Sequence, residues 1–118
     1  MGSQRLSITQ AKLIKQHRYI LEKLAKTDEK NRRKILNNAP KELFKALNII
    51  FKMLDNGRLN LTTPQINKLK KHKRLIRSAS KLKVTDIKGK LSKQKGGALG
   101  AILSTALPLI GGLLKSIL

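Results

Sequence analysis

The chain has 118 residues, no cysteine, and 27 Lys and Arg against 6 Asp and Glu, a formal net charge of +21. That length allows one small domain with appendages, and the missing cysteines exclude a disulfide scaffold, a thiolate nucleophile and a thiolate metal site. His17 and His72 lie far apart and the acids are scattered, giving neither metal-ligand spacing nor a nucleophile–base pair, so neither an enzyme nor a cofactor is expected.

Near the N-terminus no apolar secretory stretch is present, and Leu6 stands where a myristoylation pattern beginning at Gly2 would want Ser or Thr. Without a secretion signal the Asn60-Leu61-Thr62 sequon is read as chance. Ser7-Ile8-Thr9-Gln10 has the form of a capping box, and apolar residues from Ile8 to Ala25 recur at helical spacing, predicting a helix over 8–26. Thr27-Asp28-Glu29 caps a second helix and sets both acids at its positive dipole end; this helix stops near Asn37-Asn38.

Pro40 suits the first turn of a third helix, whose apolar stripe is Leu43, Leu47, Ile50 and Leu54, widened by Phe44 and Phe51. Asn56-Gly57 supplies a left-handed stop. Thr63-Pro64-Gln65 opens a fourth helix with Ile66, Leu69 and Ile76 on one face. The fold class expected is therefore all-α: a small four-helix bundle over 6–79, a flexible Lys-rich linker over 80–97, and an apolar C-terminal helix over 98–118. The core available to 6–79 is thin, which predicts marginal stability at low salt and stabilisation by bound anions.

Lys68, Lys70, Lys71, Lys73, Arg74 and Arg77 place six cations within ten residues, and Lys81, Lys83, Lys88 and Lys90 continue the series into the linker. A solvated helix face normally mixes signs, whereas no acid lies between Lys68 and Lys83. Charge repulsion of this density calls for a polyanion, bound through counterion release. Three aromatic residues in the whole chain are too few to suggest stacking on single strands. Lys outnumbers Arg, which favours point-charge phosphate contacts over bidentate guanine recognition. The expected partner is the phosphate backbone of duplex DNA, bound without reading its sequence.

From Ala98 to Leu118 the single charge is Lys115. A helix of that length reaches about 30 Å, the thickness of a bilayer's hydrocarbon core. Ile102, Leu103, Leu107, Pro108, Leu109, Ile110, Leu113 and Leu114 are the residues expected to engage a lipid bilayer, with Pro108 and Gly111-Gly112 kinking the helix. Packing of this helix onto the bundle or onto a homologous tail is the competing structural reading, and a disordered end is the third. Gly100-Ala-Ile-Leu through Ala106-Leu-Pro-Leu-Ile resembles the lytic peptide melittin, and Ala106 to Leu118 resembles the frog temporins. Both resemblances are compositional and imply membrane disturbance.

Between the basic and apolar segments stands Gln94-Lys95-Gly96-Gly97-Ala98. A basic run, a Gly-Gly and an apolar stretch with Leu-Pro-Leu-Ile together resemble the precursor of the adenovirus core protein mu, or protein X. The layout is also similar to that of small late proteins of Polinton and adintovirus elements. The resemblance implies a DNA-condensing protein of the virion, present in the host nucleus during assembly. It also implies an adenovirus-type cysteine protease that recognises Gly96 and Gly97 and cuts before Ala98. Mu is Arg-rich and has no counterpart of 6–79, so the resemblance implies nothing about that region. Two further classes fit the same composition: a cationic antimicrobial or lytic polypeptide acting on anionic membranes, and a chromatin or ribosomal protein with a tail anchor.

Overall fold

The computed structural model describes residues 6–57, 59–93 and 97–118. Among these, eight helices and no strand are found: α1 (Ile8–Gln16), α2 (Arg18–Lys26), α3 (Glu29–Asn38), α4 (Lys41–Asp55), α5 (Thr63–Lys70), α6 (Lys73–Lys81), α7 (Val84–Ser92) and α8 (Ala98–Ile117). The all-α class is as the periodicity predicts. The simple four-helix bundle is not what forms.

Helix starts follow local chemistry. The Ser7 hydroxyl accepts from the Gln10 amide at 3.0 Å while the Gln10 side chain accepts from the Ser7 amide at 3.1 Å. Asp28 Oδ1 accepts from the Asn31 amide at 2.8 Å to open α3. Thr62 and Gln65 form a second capping box, with Pro64 in the first turn of α5. Gly57, at φ +67°, takes the left-handed conformation that lets the chain leave α4.

Two expected helices are each divided. The predicted helix 8–26 bends at His17 (φ −103°, ψ 10°), so that α1 packs on both α4 and α8 while α2 runs along α8. The predicted fourth helix breaks at Lys71-His72, where α5 turns toward α8 and α6 packs on α4. A segment whose halves pack on different neighbours must bend. Like charges three and four residues apart, as at Lys68/Lys71 and Lys70/Arg74, further disfavour a straight helix there.

The segments beyond residue 79 depart furthest from expectation. Instead of a flexible linker, 84–92 forms α7, which buries Ile87 and Leu91 against α3 and α4. Instead of a separate appendage, α8 contributes Leu99, Ile102, Leu103, Ala106, Ile110 and Leu114 to the same apolar cluster that holds Leu47 and Phe51 of α4. The core is thus larger than 6–79 can supply, and the Cα radius of gyration, 13.2 Å, is that of a compact domain.

Small residues seat α8 on α2. A Cβ at Gly100 would lie 2.5 Å from the Arg32 guanidinium and 3.3 Å from the Ala25 carbonyl oxygen. One turn on, Ser104 Oγ donates to that same carbonyl at 3.2 Å, and farther along Gly111 faces Arg18. Arg32 is itself buried, its Nε donating to Leu24 O at 2.9 Å and its Nη2 to Thr27 O at 2.7 Å. It satisfies the C-terminal carbonyls of α2 and adds a positive charge at that helix's negative end.

Candidate nucleic-acid interface

Residues of α4 fix the basic helix α6. Asn48, buried in α4, donates through Nδ2 to the Ala79 and Leu82 carbonyl oxygens at 3.2 and 3.4 Å, capping the end of α6. Asp55 Oδ2 accepts from Ser80 Oγ at 3.0 Å. Leu75, Ile76 and Ala79 are buried against α4, which leaves Lys73, Arg74, Arg77 and Lys81 on the exposed side.

The sequence-predicted cations fall into two grooves on either side of the α5–α6 bend. In one, of about 370 Å³, Lys71, Arg74 and Lys90 meet with His72 and Ser78, and Leu75 and Ala98 complete the lining. Here α7 delivers a cation from the segment expected to be linker, so Lys90 stands beside residues far from it in the chain. In the other, of about 340 Å³, Lys70, Lys73 and Arg77 border an apolar floor. Lys68, Lys81 and Lys83 are exposed but line neither groove. Lys88 Nζ donates to the Asn37 carbonyl oxygen at 3.0 Å, occupying the C-terminal end of α3.

Neutralisation within the protein is slight. Among the described residues three ion pairs form, Arg18–Glu22, Arg33–Glu29 and Arg77–Asp55, all with exposed or half-exposed cations. Arg77 is the one member of the predicted set among them, at 3.7 Å from Asp55, and its side chain remains 58% exposed. The Arg77 end of this long pair is open to solvent although Asp55 is largely covered, so a phosphate can compete for the guanidinium.

Residues picked out for lipid contact lie elsewhere. Ile102, Leu103, Leu107, Ile110 and Leu114 are buried, Leu109 and Leu113 are half-buried, and Pro108 is exposed within an α8 that continues through it. The helix is long and apolar enough to cross a membrane, yet 61% of that stretch is buried in the fold. At the junction, Gly97 has φ +73° and Ala98, 8% exposed, begins α8; Gly96 lies outside the described residues.

Sequence reasoning missed Arg32 and Asn48, the two buried polar residues that hold helix ends. Asn48 interrupts an apolar run between Leu47 and Ile49, a signal that was available. Arg32 stands four residues before the buried Leu36, on the same face, where a cation announces nothing without knowledge of the neighbouring helix end. The chain matches no protein-family model, no curated protein and no solved structure.

Proposed function

We propose that the protein binds the phosphate backbone of duplex DNA without reading base sequence, and serves as a basic core protein that neutralises packaged DNA. The observation that carries this reading is the cation surface of α5, α6 and α7, where Lys71, Arg74 and Lys90 meet in one groove and Lys70, Lys73 and Arg77 border another. Asp86 is the one acid between Lys68 and Lys95. The mechanism is counterion release: each phosphate paired with a Lys or Arg frees condensed cations into solution.

If ~8 phosphates are neutralised, affinity for non-specific duplex falls with salt at a log–log slope of about −7. Replacing Lys70, Lys71, Arg74 and Arg77 with Ala should flatten that slope by several units. Salt-insensitive binding, or a preference above about tenfold for one sequence, would defeat the proposal.

The virion assignment rests on the resemblance of the junction to the mu precursor. Its test is incubation with an adenovirus-type protease, which should cut between Gly97 and Ala98 and be blocked by Gly97→Val. A membrane role for α8 rests on its length and composition, and requires the helix to leave the core that buries it. The 98–118 peptide should gain helicity on anionic vesicles and release trapped dye; failure at both leaves α8 a core helix alone.

A further inference from the structure

The Lys70/Lys73/Arg77 groove differs from its neighbour in having an apolar floor. Leu54 from α4, Leu61 from the preceding loop, Leu69 from α5 and Ile76 from α6 enclose it, and Ile66 stands at its lip with 51% of its surface exposed. An isoleucine left half in water above a cavity of about 340 Å³ is an unfilled apolar contact, and the volume falls in the range of small-ligand sites. We propose that this groove binds a single-chain anionic amphiphile as a monomer, its acyl chain along the floor and its carboxylate or phosphate head between Lys70 and Lys73.

Charge selects the head group. The rim offers ammonium and guanidinium donors, and its one carboxylate, Asp55, already accepts from Ser80 and pairs with Arg77. Such a rim suits a head that only accepts hydrogen bonds. Asn67, the remaining polar residue of the lining, can add its side-chain N–H groups to the donors that face such a head. The floor is built of helix and loop side chains without an aromatic ring, which suits a flexible aliphatic chain over a nucleobase.

Lys70, Lys73 and Arg77 also belong to the proposed DNA-binding surface, so the groove is tested without nucleic acid and its failure leaves the DNA reading standing. Titration calorimetry of the full chain with dodecanoate, below its micellar concentration, should show one saturable site. Shortening the chain by one buried methylene should weaken binding about fourfold, from ~0.8 kcal/mol per CH₂. Exposed Ile66→Asp, which spares the fold, should reduce affinity by about tenfold or more, and Lys70→Gln with Lys73→Gln by about tenfold. Lys12→Gln with Lys15→Gln, equal in charge removed but on α1, should leave it unchanged. Equal affinity for dodecyltrimethylammonium, indifference to chain length, or equal losses from the α1 pair would overturn the site. So would binding of anionic vesicles or an acidic peptide in this groove without binding of the monomer.

Discussion

A methyl group at position 100 would collide with the guanidinium that closes α2. Arg32 cannot swing aside without releasing the Leu24 and Thr27 carbonyls, and the Ala25 carbonyl stands close on the same side. Gly100→Val should therefore lower stability by about 1–3 kcal/mol, as overpacking does. Gly112 offers the contrast: it lies in the same helix, exposed, with nothing within 4 Å of the place a Cβ would take. Gly112→Ala should raise stability, by up to about 1 kcal/mol, because alanine is the better helix former. Thermal melts of the two variants followed by circular dichroism check both signs. Parent-like melting of Gly100→Val would show that α8 does not sit on α2 as described.

At the scale of the helix, α8 behaves as a core element. Ile102 and Phe51 are both fully buried, one in α8 and one in α4. Ile102→Ala should cost about 2–5 kcal/mol, the same order as Phe51→Ala, and denaturant titration of the full chain would measure both. A loss for Phe51→Ala alone would mean that α8 is peripheral. Helix starts were legible in the sequence because Ser7/Gln10 and Asp28 act on atoms three residues away, and Thr63-Pro64-Gln65 marked the start of α5 although its cap is the preceding Thr62. The α4 stripe and the Gly57 stop were legible for the same local reason. What was not legible depends on distant neighbours: the bends at His17 and His72, the order in α7, and the burial of α8. An apolar helix of 20 residues reads alike whether lipid or protein surrounds it. The Gly100, Ser104 and Gly111 spacing was the one clue favouring protein, since small residues matter where a second backbone comes close. For the candidate site, the α5–α6 cations were legible as a run, while their division into two grooves and the arrival of Lys90 required the fold.

Across the whole molecule, a net charge of +21 within 38 × 30 × 24 Å sets every exposed cation near others of its sign. That repulsion favours the unfolded chain, in which the charges move apart. Salt shortens the reach of the repulsion, from about 30 Å at ~10 mM to about 3 Å near 1 M. The midpoint of thermal unfolding should accordingly rise over that range, and short duplex DNA at low salt should raise it further by binding the folded state. Calorimetric scans at several sodium chloride concentrations test the first expectation. A midpoint that falls with salt would mean that attractive pairs outweigh repulsion in the fold.

The seating of α8 changes what a break before Ala98 would accomplish. Ala98 is buried and helical, so a protease needing extended chain must first unwind the opening turn. Once the bond is cut, the two pieces still share a continuous interior through Ile102, Ile110 and Leu114. The result would be fragment complementation: a nicked protein whose halves stay together by affinity instead of by covalent linkage. Losing the tether removes an effective concentration on the order of millimolar. Integrity then becomes a matter of dilution, secure where the protein is crowded and lost where it disperses.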